Sequence, residues 1–229
     1  MRTPSLPRCH AIVLVAGAGR RFGGGKLTTC WRGRPLVAWA VETALAAPVE
    51  RVTVVTGCGA DAVEAALAPW CCDRLTFLRT AQWSEGMGRS LSDGVASLPP
   101  DWTALLVVLG DMPAIPSHLG AAFLLGVLGG APAALPSFEG RDGHPVALSR
   151  TFWDRHGPTT GDAGLRRALA SQPGVLRLPT QAGGVRFDID SPADLDRLPQ
   201  THAGDRRGGR PVTSQAFVPP TSPLTERPR

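Results

Sequence analysis

Two runs, Ala11-Ile12-Val13-Leu14-Val15 and Ala104-Leu105-Leu106-Val107-Val108-Leu109, are apolar at every position. A strand with one wet face alternates apolar and polar residues, whereas a strand apolar throughout has to be covered on both faces. Further short apolar or β-branched runs occupy 51–56, 75–78, 132–136, 145–148 and 185–189. Between many of them lie segments with apolar residues at three- and four-residue spacing: 36–46, 60–67, 90–97, 118–127, 162–170 and 192–198. Strands alternating with helices predict an α/β chain, a Rossmann-like three-layer sandwich with a mostly parallel central sheet. Ligands of such sheets bind beyond the carboxyl ends of the strands, so the residues that follow each strand are the place to look for chemistry.

With 229 residues and 43% apolar side chains, the chain is long enough to bury one substantial core. Residues 1–9 read as a flexible N-terminus, 10–200 as the folded domain and 201–229, rich in Pro, Gly, Ser, Thr and Arg, as a disordered tail. The net charge of +5 and pI near 9.5 come from the two ends, since residues 9–200 carry equal numbers of basic and acidic side chains. With no basic stripe interleaved with aromatics, no nucleic-acid partner is expected. No apolar stretch of about 18 residues and no secretory signal is present, so no membrane association and a cytoplasmic location are expected. The five cysteines form an odd set without a CxxC pair and read as buried or incidental thiols.

After the first strand comes Val15-Ala16-Gly17-Ala18-Gly19-Arg20-Arg21-Phe22-Gly23-Gly24-Gly25-Lys26. A dinucleotide fingerprint starting at Gly17 would need glycine where Phe22 stands, and the second strand ends in Thr56-Gly57 without an acidic residue for a ribose. A Walker A loop would need glycine at Arg20 and Ser or Thr at Leu27. What remains is a long glycine loop whose N–H groups approach a triphosphate, with Arg21 and Lys26 as cations for its oxygens; the alternative is a flexible turn. Lys26 is the one lysine of the chain, every other strongly basic residue being arginine, and a compact ammonium at the end of this loop reaches phosphate without the bulk of arginine.

Asp111 follows the 104–109 run, where a carboxylate is placed either to bind Mg²⁺ or to cap a turn. Asp188 and Asp190 are two apart and share a face while the chain is extended, where they repel unless a cation or water separates them, which favours a metal role for at least one of them. Ser191, Pro192 and Asp194 form an acidic variant of the capping box.

These segments resemble the MobA-like nucleotidyltransferase superfamily, whose loop signature is (L/A)AGxSxRMGxxK. The resemblance covers roughly residues 10–198. It places Gly17, Arg21, Gly23 and Lys26 on nucleotide-binding positions, with Ala16 and Gly19 in the same loop. Leu109-Gly110-Asp111-Met112-Pro113 matches the LGDMP motif and Asp188-Ile189-Asp190-Ser191-Pro192 resembles DIDTP, which implies Asp111 and Asp190 as ligands of a catalytic Mg²⁺, or Mn²⁺. Gly86-Met87-Gly88-Arg89-Ser90-Leu91 resembles GMSSSL at the floor of the nucleotide site, through Gly86, Met87, Ser90 and Leu91. Gly88 and Arg89 replace two of its serines.

Gly143-His144-Pro145-Val146 and Gly161-Asp162-Ala163-Gly164 are similar to the GHPV and GDxG segments of the molybdenum cofactor cytidylyltransferase branch. There they imply His144 and Asp162 as acceptor contacts, their alternatives being a structural histidine and a helix N-cap. Val15-Ala16-Gly17 is nearer the AAG start of cytidylyl transfer than the LAGG start of guanylyl transfer. The implied function is transfer of CMP from CTP to molybdopterin, with a molybdenum hydroxylase as possible recipient of the product. Guanylyl transfer from GTP, a MobA-like NAD(P)H-dependent oxidoreductase and a non-catalytic molybdopterin chaperone are the alternatives.

Overall fold

The computed structural model describes residues 7–157 and 164–198. Its strands are β1 (Cys9–Val15), β2 (Cys30–Trp31), β3 (Arg34–Pro35), β4 (Arg51–Thr56), β5 (Leu75–Arg79), β6 (Ala104–Leu109), β7 (Ala133–Phe138), β8 (Arg141–Asp142), β9 (Val146–Ser149) and β10 (Leu176–Pro179). Its helices are α1 (Leu36–Ala46), α2 (Ala60–Leu67), α3 (Met87–Ala96), α4 (Leu119–Leu128), α5 (Arg150–His156) and α6 (Gly164–Ser171). The main sheet runs β10-β7-β9-β6-β1-β4-β5, with β8 paired to β7. β6, β1, β4 and β5 are parallel, β9 runs antiparallel between β6 and β7, and β10 is parallel to β7.

The two fully apolar runs become the central pair, β1 and β6, for the reason their sequence gives. Val13 and Val15 pack into the layer that holds Val41 of α1, Leu67 of α2 and Phe123 of α4. Ile12 and Leu14 pack into the opposite layer, with Leu91 of α3, Phe152 of α5 and Leu169 of α6. Alternate side chains of one strand therefore serve two cores, and no position on it can be polar without being stranded away from water. His10 of β1 is the exception: it is 2% exposed and neither ring nitrogen has a partner among the described residues. Burial pushes its pKa down, which keeps it uncharged.

Three expectations are overturned. No strand forms at 185–189; Gly183–Arg186 is a 3₁₀ turn, because Gly184 is pressed against the Ala114 carbonyl where a side chain has no room. The helix expected at 192–198 shrinks to one 3₁₀ turn, Pro192–Asp194. The flexible N-terminus does not extend to residue 9: the Arg8 guanidinium binds Glu50 and Asp101, and Cys9 is already in β1. β10 was not foreseen, since its alternation of half-buried and exposed residues is carried by only Leu176 and Leu178 at a sheet edge. The tail and the Gly161-Asp162-Ala163 segment lie outside the described residues. Among the described residues no helix is long and apolar enough to cross a membrane.

Candidate active site

Beyond Val15 the chain passes through a 3₁₀ turn, Arg20–Phe22, then three glycines, then a second turn, Lys26–Thr28. Gly19, Gly23, Gly24 and Gly25 have φ of 57°, 87°, 97° and 64°, the left-handed region in which a β-carbon is strained. These turns fold the loop back so that its last residue returns to the sheet edge. Lys26 Nζ lies 2.7 Å from Asp111 Oδ2 and 3.9 Å from Asp190 Oδ1, and Arg21 Nη1 lies 2.7 Å from Asp190 Oδ2. The Lys26 side chain is 12% exposed and that of Arg21 78%. The first is a shielded ion pair; the second is open to screening and adds little to stability.

Asp111 is held at the end of β6 and Asp190 reaches it from 79 positions later in the chain. The Ile189 N–H donates to the Asp111 carbonyl at 3.0 Å, with the Ile189 side chain fully buried between the two carboxylates in sequence. Asp194 fixes the other end of this segment: one of its oxygens accepts from the N–H of Asp190 (3.1 Å), the N–H of Ser191 (2.7 Å) and the Ser191 hydroxyl (2.8 Å). These donors hold its carboxyl below the usual range, the Ser191 hydroxyl foremost. Asp194 is thus a cap, as its place in the sequence suggested. Asp188 is exposed and forms no ion pair among the described residues, whereas Asp190 faces both Arg21 and Lys26.

The close approach at Gly184 has a measurable consequence. A methyl there would be driven into the Ala114 carbonyl, which is backbone and cannot swing aside. Gly184→Ala is expected to destabilise the fold by about 1–3 kcal/mol, the usual cost of overpacking, read as a lowered urea midpoint.

The other expected residues fall on either side of this cluster. Ala16 and Gly17 lie between β1 and the loop, and the Ala16 carbonyl accepts from the Cys58 N–H at 3.0 Å. Gly86 precedes α3 with φ 106°, and Ser90, 2% exposed, closes the first turn through its N–H to the Gly86 carbonyl. Arg89 runs along α3, with Nε 3.0 Å from Asp93 Oδ1, so it is engaged on its own helix.

His144 stands on the opposite flank, where its N–H donates to the Val185 carbonyl at 2.8 Å and the Gly143 N–H to the Pro136 carbonyl at 2.9 Å. Its Nδ1 is buried without a partner among the described residues. Burial, then the Arg166 cation, push its pKa from 6.5 down to about 4, against the opposing pull of Asp188. A histidine that resists protonation in the folded state but not in the unfolded chain makes stability rise with pH. The contribution is complete above pH 6.5 and is lost as pH falls from 6.5 toward about 4. His10 acts in the same direction. The urea midpoint is expected to drop over that window, and less steeply in His144→Gln.

Among the described residues no group of three or more His, Cys, Asp or Glu is close enough to form a metal cage. Asp111 and Asp190 nonetheless suit Mg²⁺ or Mn²⁺, because such an ion keeps several waters and takes one or two carboxylates together with substrate phosphates. The sequence did not reveal the segment that seats Asp190: the Gly184 contact and the Ile189 bond to Asp111 depend on residues far apart in the chain. Nor did it reveal Trp83, whose place beside Gly57 emerges only when the sheet is assembled.

Residues 11–175 match the model of the MobA-like NTP transferase domain. The chain belongs to this family. It is 32% identical over 209 residues to a nicotine blue oxidoreductase of Paenarthrobacter nicotinovorans, covering 86% of this chain and all of that protein. Among solved structures it is similar to an Rv0371c homologue from Mycobacterium sp. strain JC1, with TM-score 0.72, 28% identity and coverage of 84% of this chain and 96% of the other. It also shares the fold of Rv0371c from Mycobacterium tuberculosis in a complex with manganese, with TM-score 0.69, 23% identity and coverage of 83% and 97%. The mostly parallel sheet and the nucleotidyltransferase class of this MobA-like chain agree with the expectations from its motifs.

Proposed function

We propose that this nucleotidyltransferase moves CMP from CTP to a phosphorylated acceptor, molybdopterin, and releases pyrophosphate. The observation that carries the reading is the convergence of Lys26, Asp111 and Asp190 at the carboxyl edge of β1 and β6, beneath a loop in which Gly17, Gly23, Gly24 and Gly25 are exposed. In this reading Asp111 and Asp190 would hold Mg²⁺ or Mn²⁺, and the manganese complex of Rv0371c, which shares the fold, is in keeping with a divalent ion. The ion would supply Lewis-acid neutralisation of phosphate charge.

The chain's own groups do the rest. Lys26, Arg21 and the loop N–H groups of Gly17 and Gly19 bind the triphosphate and stabilise charge as an acceptor phosphate oxygen attacks the α-phosphorus in line, while Gly23 shapes the loop through its N–H bond to the Arg20 carbonyl. The new bond joins acceptor phosphate to CMP, the bond between the α-phosphorus and its bridging oxygen breaks, and pyrophosphate leaves with the electron pair. Gly86 and Ser90 floor the nucleotide side. His144, held neutral, offers the acceptor a hydrogen-bonding ring rather than a cation.

The choice of CTP over GTP rests on the Val15-Ala16-Gly17 start and on the GHPV segment. Isothermal titration with Mg-CTP and Mg-GTP tests it: CTP is expected to bind more tightly, and tighter GTP binding would transfer the assignment to guanylyl transfer. The likeness to nicotine blue oxidoreductase favours a second reading, reduction of a small heteroaromatic substrate with NAD(P)H. Phe22 in place of the third fingerprint glycine and the end of β4 in Thr56-Gly57, without an acidic residue there, weigh against it. Saturable NADPH binding would support that reading over ours.

A further inference from the structure

Trp83 belongs to neither the phosphate cluster nor the core. It opens a 3₁₀ turn between β5 and α3, and is only half-buried. Its indole N–H has no hydrogen-bond partner and its ring no aromatic or cationic neighbour among the described residues. A large aromatic at the carboxyl edge of a parallel sheet, with nothing engaging it, is unusual because indole normally uses both its face and its polar tip.

Its root is nevertheless fixed. A β-carbon at Gly57 would lie 2.6 Å from Trp83 Cβ, 2.7 Å from its Cγ and 2.8 Å from the Ala16 carbonyl. Only a glycine at the end of β4 lets these three meet. The Cys58 N–H holds the Ala16 carbonyl, and the Gly86 N–H donates to the Trp83 carbonyl at 3.3 Å, so both backbones are tied. Met87, four residues on at the start of α3, is 40% exposed.

The position relative to the phosphate cluster is what gives this aromatic a use. Asp111 follows β6 and Gly57 follows β4, and these strands flank β1, so the two lie about 10 Å apart across two strand spacings. A nucleotide whose triphosphate meets Lys26, beside Asp111, and whose chain crosses the Ala16-Gly17 backbone therefore places its base on the Trp83 side. From this geometry we infer that Trp83 is the base-stacking residue of the nucleotide site, taking the nucleobase face of either a pyrimidine or a purine triphosphate. It supplies affinity without reading the base, which leaves discrimination to polar groups. This rests on the nucleotidyltransferase reading and goes beyond it in naming the residue that holds the base.

The test compares wild type, Trp83→Ala, Trp83→Leu and Trp83→Phe by titration with Mg-CTP, Mg-GTP and Mg-tripolyphosphate, the last having no base. Trp83→Ala and Trp83→Leu are expected to bind both nucleotides about ten- to a hundred-fold more weakly, and tripolyphosphate as wild type does. Trp83→Phe, which keeps a flat face, is expected to stay within a few-fold of wild type. Equal weakening toward tripolyphosphate would assign Trp83 to the fold and overturn the inference. Unchanged nucleotide affinity in Trp83→Ala, with normal binding by wild type, would overturn it alone. Failure of wild type to bind either nucleotide would overturn the nucleotidyltransferase reading and this inference with it.

Discussion

Replacing Lys26 by alanine is expected to lower nucleotidyl transfer by about 10²- to 10³-fold while leaving thermal unfolding close to wild type. The ammonium is the shielded cation of the cluster, 12% exposed and in contact with Asp111, whereas Arg21 is largely in solvent. Charge that develops on the leaving phosphates is stabilised most by a fixed donor in a site where water is scarce, which is the position of Lys26 rather than Arg21. The residue sits on a loop turn at the sheet edge, not in either core layer, so its loss opens no cavity. Lys26→Arg is expected to recover little, because a planar guanidinium neither fits the same gap between two carboxylates nor presents a point charge to phosphate. Wild-type-like turnover in Lys26→Ala would remove the residue from the mechanism.

Asp111→Asn is the second large effect, expected at a similar 10²- to 10³-fold loss of transfer, together with weakened Mn²⁺ binding measured in the absence of nucleotide. The amide keeps the shape and the turn at the end of β6, so the backbone bond from Ile189 survives. It removes the charge that pairs with Lys26 at 2.7 Å and leaves that ammonium with Asp190 at 3.9 Å as its remaining anion. A carboxylate that only capped a turn would behave differently: asparagine serves as a cap, and metal affinity would be unchanged. The paired measurement of Mn²⁺ affinity and turnover therefore separates the two roles.

How much of this was legible beforehand follows from which forces are local. The central strands were legible because runs such as 11–15 and 104–109 are apolar at every position, and only a doubly covered sheet accommodates that. The glycine loop was legible because left-handed φ values at Gly19, Gly23, Gly24 and Gly25 demand that residue locally. The cap at Ser191 and Asp194 was equally a matter of neighbours in sequence.

The segment 183–190 was not legible, since its conformation is set by the Ala114 carbonyl against Gly184 and by Asp111 against Ile189, contacts between distant parts of the chain. Val185 and Ile189 are apolar enough to pattern as a strand, yet they are buried by packing rather than by sheet pairing. The hairpin of β2 and β3 went unforeseen for a similar reason: Arg32 adopts φ 50° beside Gly33 at φ 77°, a turn whose first position gives no glycine or asparagine signal. The pairing of Trp83 with Gly57 depends on β4 and β5 being neighbours, which no local pattern states.

The role of the Lys26–Asp111–Asp190 cluster is tested most directly by pyrophosphate release from Mg-CTP in the presence of molybdopterin. Saturable release is expected, one pyrophosphate for each CMP joined to the acceptor, lost in Lys26→Ala and Asp111→Asn. Absence of pyrophosphate from both CTP and GTP in the wild-type protein, with NADPH consumed instead, would contradict it.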